Sequence, residues 1–564
     1  MRRRRLILPA SAFVLTAVVL AGCATATPAA TSSSDSSAVE ATAVVDSDLA
    51  ADAVIASNED ATVTRDDEWS ETDAVDLDLS SSSSVDGVDH DGSTVTITAA
   101  GVYRLSGSLD GSVVVAAPDD AVVVLILDGA TITNTAGPAI TVASADDVAI
   151  SLAEGSENSV SDASSYADEA DANAAIYSDA DLTITGTGSL SVSGNGNDGI
   201  TSTDDLVILS GDITIDAADD GLRGKDALLV EGGTLDVTAG GDALKSDQDE
   251  DATRGYIWIS GGDLTATSGD DGLAATTDVI VTGGTISLTA SGSDSAKGIT
   301  AGAVVALDGG EITIDADDDG VHSDGSAGIG GATISVVASD DGVHAEQTLE
   351  MRDGTVTIEA SEGLEATDIA ISGGTADIDA SDDGINGAGG TTTPDQGGGG
   401  MGGSEQDTGE TVVISGGTVR VAGDGDGIDS NGSITISGGD VTVAGPTGGG
   451  EGAIDANVAV TIDAGIVSVG GSVLVAPGGG QAWVAVAVSG SAGQTVSVAD
   501  ASGTIVASFE ALSDFASVFA SASGITAGAT YTVTVDGASA TTATAGEALA
   551  NQMGGAGQGG GQRR

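Results

Sequence analysis

The sequence predicts an all-β protein, and three observations favour a parallel β-solenoid. Short β-branched runs end at Gly and Asp corners, and from about residue 181 this pattern recurs about every 22 residues (221 − 199 and 342 − 320). Such a unit is too short for a strand–helix–strand unit, which needs roughly 30 residues. Aromatic residues make up only 2% of the chain, whereas Gly accounts for 86 of its 564 residues. Small aliphatic side chains suit the narrow core of a solenoid whose coils stack about 4.8 Å apart.

The first 22 residues have the features of a bacterial secretion signal. Arg2 to Arg5 are positively charged, and the apolar stretch Leu6 to Leu20 is short for a membrane-spanning helix. The next residues, Leu20-Ala21-Gly22-Cys23, resemble a bacterial lipobox, in which the cysteine becomes the lipid-bearing N-terminus. Cys23 is the only cysteine, so no intramolecular disulfide can form. We therefore expect lipid on Cys23 to attach the protein to the extracellular face of the bacterial cell membrane.

Changes in composition divide the rest of the chain. Residues 23–84 are rich in Ala, Thr, Ser and Asp and are expected to form a flexible spacer. Residues 85–470 carry the strand pattern of the solenoid, with a Gly-rich loop at 387–410. Residues 471–548 predict a small antiparallel β module that caps the solenoid. The Gly- and Gln-rich tail 549–564 is expected to be disordered.

The chain is strongly acidic. It contains 15 basic and 87 acidic residues, a formal charge of −72, and loss of Arg2 to Arg5 with the signal would leave 11 − 87 = −76. A surface of this charge repels nucleic acid, which we exclude as a partner, and attracts cations. The protein is expected to be monomeric.

The repeat predicts a ladder of carboxylates at the solenoid corners. The corner residues are glycine, expected because it enters positive φ without cost, or alanine: Gly199, Gly221, Ala243, Gly272, Ala296, Gly320, Gly342, Gly363, Gly384, Gly427 and Ala453. Stacked unit charges about 4.8 Å apart repel by about 3.5 kcal/mol at an effective dielectric of 20, which indicates a neutralising cation. Ca²⁺ fits, since it takes 6–8 oxygen ligands. The alternative is that these aspartates accept hydrogen bonds from corner N–H groups. The candidate metal ligands are Asp198, Asp219, Asp220, Asp242, Asp270, Asp271, Asp318, Asp319, Asp340, Asp341, Asp382 and Asp383.

A second ladder is predicted two residues after each corner. It contains Thr201, Arg223, Lys245, Ala274, Gly298, His322, His344, Glu365, Asn386, Asp429 and Asp455. The cations Arg223 and Lys245, with Lys225 nearby, would suit an anionic polysaccharide, paired directly or bridged by metal. Internal salt bridging is the alternative. His322 and His344 lie one coil apart and could share a metal, although zinc requires three or four ligands.

One aromatic pair is a further candidate for carbohydrate binding. In the strand around Tyr256 and Trp258 the two rings alternate with isoleucines, which places them on the face opposite the core. Such rings could stack against sugars. The alternative is a packing patch beneath the insertion Gln248 to Thr253.

Two segments resemble a known family. They are Asp220-Gly221-Leu222-Arg223-Gly224-Lys225-Asp226 and Gly241 to Ile257, and the earlier runs Gly101 to Gly107 and Val124 to Gly129 fit the same pattern. Over roughly residues 85 to 540 the chain resembles the bacterial carbohydrate-binding β-helix proteins of the polygalacturonate- and cellulose-binding type, which are akin to pectate lyases. The resemblance implies a right-handed parallel β-helix, bound Ca²⁺ and affinity for acidic plant-type polysaccharide.

Three functions follow as hypotheses. The first is calcium-dependent binding of an acidic, uronate-containing polysaccharide at the cell surface, with Arg223, Lys245, Tyr256 and Trp258 as the contact residues. The second is a polysaccharide lyase acting by β-elimination, in which Lys245, Lys225 or Arg223 matches the basic residue of the lyase relatives in type. The third is a structural or adhesive stalk without sugar specificity.

Overall fold

The computed structural model describes residues 49–81, 84–167, 170, 172–389, 409–447, 452–471 and 476–549. Strands make up 55% of it and helices 2%, arranged as a parallel β-solenoid of about 15 turns with a small antiparallel sheet. The predicted fold class is therefore confirmed. The described residues contain no helix long and apolar enough to cross a membrane.

Each coil contributes to three parallel sheets, named A, B and C in the order in which a coil visits them. Sheet A contains Thr94–Ile97, Ser112–Ala116, Ile140–Ser144, Ala174–Ser178, Asp198–Ser202, Leu222–Gly224, Leu244–Ser246, Leu273–Ala275, Ile299–Ala301, Val321–Ser323, the first parts of Asp341–Met351 and Glu362–Ile371, Ile385–Gly387 and Ile428–Ser430. Val88–His90 pairs antiparallel with the first of these strands.

Sheets B and C follow in the same coils. Sheet B contains Val75–Asp78, Gly101–Asp110, Val122–Thr133, Asp147–Leu152, Asp181–Gly186, Asp205–Ile208, Ala227–Val230, Tyr256–Ile259, Asp278–Val281, Val304–Leu307, Ser326–Ile329, the later parts of Asp341–Met351 and Glu362–Ile371, Thr411–Ile414, Ser433–Ile436 and Ala459–Ile462. Sheet C contains the end of Val122–Thr133, Glu157–Ser161, Ser189–Gly194, Asp212–Ala217, Thr234–Ala239, Asp263–Ser268, Thr285–Ala290, Glu311–Ala316, Thr333–Ala338, Thr355–Ala360, Thr375–Ala380, Thr418–Gly423, Asp440–Ala444 and Ile466–Gly470.

The coils stack in the register that the repeat predicts. Leu222 pairs with Ile200 of the preceding coil and with Leu244 of the following one. The inward ladder predicted from the sequence is buried at every position, with at most 1% of each residue exposed: Ile200, Leu222, Leu244, Leu273, Val321, Val343, Leu364, Ile385, Ile428 and Ile454. Aliphatic stacking along the axis thus forms one continuous core.

One corner was assigned wrongly from the sequence. Ile299 pairs with both Leu273 and Val321, so the corner of this coil is Gly298 and not Ala296. Lys297 therefore stands in the carboxylate ladder where Ser295 was expected, and Thr300 replaces Gly298 in the second ladder. The coil from Gly272 to Gly298 has 26 residues (298 − 272). This coil is longer than the 22-residue repeat, and the additional residues lie in the turn after the strand Thr285–Ala290. Counting residues forward from Gly272 could not locate them there.

Two kinds of glycine make the corners, for different reasons. At Gly221, in an Asp-Gly corner, a Cβ would lie 2.4 Å from Val237 Cγ1 and 2.6 Å from the Ala243 carbonyl oxygen, so close approach of the next coil excludes a side chain. Positive φ occurs instead at the Gly-Gly corners, as at Gly233 with φ +92°. The expectation that conformational freedom explains the Asp-Gly corners is therefore corrected.

An N-terminal segment crosses the outer face of sheet B. Residues 49–66, named here the strap, include the helix Ala51–Ser57. The Ala51 N–H donates to Asp308 Oδ2 at 2.8 Å, and the Thr62 N–H donates to Asp205 Oδ2 at 2.7 Å. Because the strap covers it, sheet B is buried on both faces in strands such as Ala227–Val230. The strap thus runs across several coils of the solenoid.

The strap differs from the spacer expected over residues 23–84. Residues 49–81 pack on the solenoid, with Val54 buried, and the strand Val75–Asp78 already pairs in sheet B. The short 3₁₀ helix Glu71–Asp73 lies between them. A segment rich in Ala, Ser and Asp gave no sign of this packing because its apolar partners are remote in sequence. The signal peptide, Cys23, residues 390–408 of the Gly-rich loop and residues 550–564 of the tail lie outside the described residues.

The C-terminal β module closes the end of sheet C. Phe515–Ser521 pairs antiparallel with Ile466–Gly470 and with Trp483–Gly490. The Trp483 ring stacks on Phe519 with centroids 5.5 Å apart, and Phe519 belongs to the solenoid core. A separate antiparallel sheet contains Thr495–Ala499, Ile505–Glu510, Thr530–Val535 and Ala538–Thr544. The last strand of sheet C is thereby paired, as expected of a cap.

We predict that Gly221→Ala lowers the thermal unfolding midpoint, with a cost of about 1–3 kcal/mol typical of overpacking. The added methyl group would meet Val237 and the Ala243 carbonyl, which belongs to the tightly stacked next coil. Gly137→Ala is the matched control, because the nearest atom to its Cβ is 3.8 Å away. Equal midpoints for the two variants in circular dichroism melts would contradict the prediction.

Candidate functional site

The carboxylates before the corners form a hydrogen-bonded ladder along the edge of sheet A. The Asp220 N–H donates to Asp198 Oδ1 at 3.3 Å, and the Asp242 N–H donates to Asp220 Oδ1 at 3.0 Å. The same bond recurs from Asp271 to Asp242, from Lys297 to Asp271, from Asp341 to Asp319, from Asp426 to Asp383 and from Gly452 to Asp426. The turn role that the sequence left open is therefore confirmed for one oxygen of each of these side chains.

The other carboxylate oxygen points to the second ladder. Lys245 Nζ lies 3.1 Å from Asp220 Oδ2 and 2.7 Å from Asp242 Oδ2. The Thr201 hydroxyl donates to Asp198 Oδ2 at 2.8 Å. Strand register places the members of the second ladder side by side, as predicted for Arg223 and Lys245. The two ladders together are named the charged face.

Cations neutralise the first half of the charged face. Arg223 donates to Asp247 Oδ2 through Nε at 3.1 Å and through a terminal NH₂ group at 2.6 Å. Lys297 pairs with Asp318 and lies 3.2 Å from Asp319 Oδ2. Internal salt bridging, the alternative left open by the sequence, thus occurs here. Lys225 is half-buried in the turn after the sheet A strand, outside the two ladders.

The second half of the charged face carries no lysine or arginine in either ladder. Beyond Lys297 the second ladder continues as Thr300, His322, His344, Glu365, Asn386, Asp429 and Asp455. Burial, together with repulsion from Asp383, Asp429 and Asp455, raises the pKa of Asp426 to about 7. Burial and the negative charge of Glu365 also raise the pKa of Glu362 to about 7. Repulsion between neighbouring carboxylates thus contributes to the raised pKa values at this end of the face.

Several groups on this face are close enough to share a cation. Ligand atoms within 4.8 Å of one another occur in Asp426–Asp429–Asp455 and in Asp318–Asp319–Asp340, and two further groups include histidine. The first group consists only of carboxylates from consecutive coils, the donors that Ca²⁺ prefers. In the second group Lys297 already pairs with Asp318 and Asp319. The first group therefore fits Ca²⁺ better.

The remaining predicted metal ligands differ in exposure. Asp198, Asp220, Asp242, Asp319 and Asp341 are buried in the ladder. Their neighbours Asp219, Asp270, Asp340 and Asp382 are exposed beside it. The sequence correctly identified the residue immediately before each of these corners as the ladder member. It did not select Asp426, Asp429 or Asp455 as ligands, although they occupy equivalent ladder positions.

The predicted aromatic platform is wrong for Tyr256. The Tyr256 ring lies on sheet B beneath the strap and is only 4% exposed. Its hydroxyl donates to the Glu59 carbonyl oxygen at 2.8 Å. Trp258 is half-buried on the same sheet, where Nε1 donates to Thr282 Oγ1 at 3.1 Å. The rings are not on the charged face, and the apolar strap residues Ala51 and Val54 were the signal that could have indicated their burial.

The fold and the charged face define a class of protein: a parallel β-solenoid that presents in-register rows of charged side chains. A family model described as carbohydrate-binding domain-containing protein matches residues 91–342 and 328–444, which together span more than half of the 564 residues. The chain belongs to this family.

The chain is also similar to two known proteins. A carbohydrate-binding domain-containing protein of Acetivibrio thermocellus is 34% identical over 147 residues, which are 25% of this chain and 51% of the relative. The chain thus spans about half the length of this curated relative. The polysaccharide lyase-like protein from C. thermocellum, solved as a gadolinium derivative, is 35% identical; the match covers 38% of this chain and 90% of that one, with a TM-score of 0.37.

We predict that, in the presence of chelator, the thermal unfolding midpoint is higher at pH 5 than at pH 8. Burial raises the pKa values of Asp271, Glu362 and Asp426 to about 7, above the usual values of 3.8 and 4.5. The folded state therefore binds these protons more tightly. The resulting stability is full below about pH 4 and is lost as the pH rises through about 7.

The measurement is a series of circular dichroism melts, repeated with Ca²⁺. At pH 8 added Ca²⁺ should recover part of the lost midpoint, because it replaces the missing protons. Asp319 acts in the opposite sense. Burial alone would raise its pKa, but His322 and Lys297 lower it, so its contribution is lost only in more acidic solution. A midpoint that rises from pH 5 to pH 8 in chelator would contradict the prediction.

Proposed function

We propose that the charged face binds an acidic, uronate-containing polysaccharide and that Ca²⁺ takes part in the binding. The observation that carries the proposal is the asymmetry of the face. Arg223 and Lys245 lie in its first half, whereas in the second half oxygens of Asp426, Asp429 and Asp455 converge within 4.8 Å of one another. Membership of a family described as carbohydrate-binding supports a polysaccharide ligand.

Electrostatics supports the requirement for a divalent cation. A chain with a formal charge of −72 repels a polyanion at long range. Ca²⁺ bound by carboxylates can reverse the local charge and coordinate sugar carboxylates at the same time. We assign this role to Asp426, Asp429 and Asp455, whose oxygens converge within 4.8 Å.

The first half of the face would contact the sugar carboxylates directly. The side chains of Arg223 and Lys245 are 27% and 31% exposed, so ligand can reach both of them. An ammonium group has three N–H donors, and Lys245 directs two of them to Asp220 and Asp242. Arg223 likewise has more donors than its contacts with Asp247 use. The carboxylates hold both cations in place for a ligand.

The central experiment is an affinity gel containing polygalacturonate, run in Ca²⁺ and again in chelator. We expect retardation only in Ca²⁺. The double variant Asp429→Asn/Asp455→Asn should bind roughly tenfold or more weakly, as is typical when metal sites lose ligands. The matched control Asp216→Asn/Asp315→Asn removes the same charge from exposed positions of sheet C and should behave as the wild type.

Three results would count against the proposal. Equal loss of binding in the control variant would indicate a general charge effect. Equal retardation by a neutral polysaccharide, with or without Ca²⁺, would exclude specificity for uronate. Absence of retention on every polysaccharide would favour the structural or adhesive stalk.

The lyase alternative is less well supported because its base would be protonated. Burial alone would lower the pKa of Lys245, but the ion pairs with Asp242 and Asp220 raise it above the usual value. A general base works best with a pKa near the operating pH. We therefore expect no unsaturated product when polygalacturonate and Ca²⁺ are incubated with the protein and absorbance is followed. Steady product formation that Lys245→Ala abolishes would establish the lyase instead.

We further propose that the protein acts on the outer side of the bacterial membrane, held by lipid on Cys23. The support is the sequence Leu20-Ala21-Gly22-Cys23 after an apolar stretch. Cys23→Ser should move the protein from the membrane fraction to the culture medium without changing binding to polygalacturonate. Retention of this variant in the membrane fraction would contradict lipid anchoring.

A further inference from the structure

Two histidines from consecutive coils meet at the middle of the charged face. His322 and His344 pair in register in sheet A, and their ring centroids lie 4.9 Å apart in an edge-to-face arrangement. His322 Nδ1 lies 2.8 Å from Asp319 Oδ2, and His344 Nδ1 lies 3.2 Å from Asp341 Oδ2 and 4.0 Å from Asp319 Oδ2. Two imidazoles and the buried Asp319 carboxylate thus converge across one coil boundary, and Asp341 lies beside His344.

The hydrogen-bond donors of His322 do not match its surroundings. Nδ1 faces Asp319, and Nε2 faces Asp324 Oδ1 at 3.2 Å, so both ring nitrogens face carboxylate oxygens. A neutral imidazole has one N–H and one lone pair. If Nε2–H donates to Asp324, the lone pair of Nδ1 points at another lone pair unless a proton or a metal ion lies between them. A histidine that ligates a metal commonly donates its other N–H to a carboxylate in this way.

The coil also fixes the carboxylates of Asp319 and Asp341 beside the two imidazoles. Asp319 Oδ1 accepts the Asp341 N–H at 3.2 Å, which leaves Oδ2 directed at the imidazoles. The Asp319 and Asp341 side chains are only 5% and 7% exposed, so the coil fixes their positions. Lys297 Nζ is 3.2 Å from Asp319 Oδ2 but also pairs with Asp318, a partner that it can keep when Asp319 binds a cation.

The distances suit a small tetrahedral ion. Ligands about 2.0–2.1 Å from zinc lie about 3.3 Å from one another in a tetrahedron. The Nδ1 atoms of His322 and His344 lie 2.8 and 4.0 Å from Asp319 Oδ2, and these separations bracket that value. Mixed nitrogen and oxygen donors favour Zn²⁺ over Ca²⁺, which prefers oxygen alone. We propose that Asp319, His322 and His344, whose ligand atoms all lie within 4.8 Å of one another, form a three-ligand Zn²⁺ site that joins two coils of the solenoid.

This site differs from the proposed calcium site in its residues and its ligand chemistry. It would neutralise Asp319 at the point where the cations of the first half of the face end. It would also join the coils of Val321–Ser323 and Asp341–Met351 by side-chain coordination in addition to their backbone pairing. Zinc bound to the folded state alone would raise the thermal unfolding midpoint.

The test is calorimetric titration of Zn²⁺ into the untagged, metal-stripped protein in an excess of Ca²⁺. We expect one tight site, which His322→Gln/His344→Gln weakens about 100-fold or more and which Asp324→Ala weakens about 10- to 100-fold through loss of the outer hydrogen bond. His90→Gln is the matched control, because this remaining histidine lies in Val88–His90, outside the proposed site, and should bind as the wild type.

Circular dichroism melts check folding of each variant, and Asp324→Ala keeps the experiment decisive should the double variant fail to fold, since Asp324 is exposed. Substituting Co²⁺ should give the visible absorption of a tetrahedral site in the wild type and not in the double variant. The proposal fails if the wild type binds no Zn²⁺ in Ca²⁺, or if the folded variants bind it as tightly as the wild type. Retention on polygalacturonate in Ca²⁺ is measured separately, so failure of the zinc site is distinguishable from failure of the proposed function.

Discussion

The hydrogen bond from the N–H of the residue before a corner to the carboxylate of the preceding coil, which recurs along most of the ladder, determines the character of this solenoid. It uses one oxygen of each ladder aspartate to hold the next coil in register, as in the pair Asp220 and Asp242. The same bond requires a buried carboxylate in almost every turn. A structural requirement of the backbone therefore produces a row of closely spaced negative charges, which repel one another strongly at low effective dielectric.

The solenoid balances this charge differently along its axis. In the first half Arg223, Lys245 and Lys297 pair with carboxylates in or beside the ladder. Raised pKa values occur in both halves, as for Asp271 and Asp426, but the second half has no lysine or arginine in its ladders. The first arrangement offers N–H donors to an anion, and the second offers oxygens to a cation. The proposed polyanion bridged by calcium would use both, and the histidines lie at the boundary between them.

The strap explains why the charged face lies on sheet A. Residues 49–66 cover the outer face of sheet B, where Tyr256 and Leu229 are buried. Sheet C exposes Thr, Ser and Asp side chains in the alternating pattern of a solvated strand, as in Thr234–Ala239. The edge of sheet A, where the strands are short and the corners tight, combines burial of one carboxylate oxygen with exposure of the neighbouring cations.

Most of the fold and the identity of the ladder could be predicted from the sequence. The repeat is local, so the inward positions from Ile200 to Ile454 and the ladder from Asp198 to Asp383 followed from counting residues. Counting failed at Gly298, where an insertion changed the length of one coil. Counting forward from Gly272 therefore did not place Lys297 in the carboxylate ladder. Counting back from Gly320 would have placed it there, because Gly298 lies 22 residues before Gly320 (320 − 298).

The sequence by itself determined that the chain forms stacked β coils with aspartate at their corners, because each coil repeats a pattern of neighbouring residues. Only the tertiary structure decided which oxygen of each aspartate is engaged, that the strap buries Tyr256, and that His322 lies against Asp319 and Asp324. These contacts depend on rotamers and on segments far apart in the chain. A periodic sequence pattern specifies which positions align, but not how the side chains at those positions divide their hydrogen bonds.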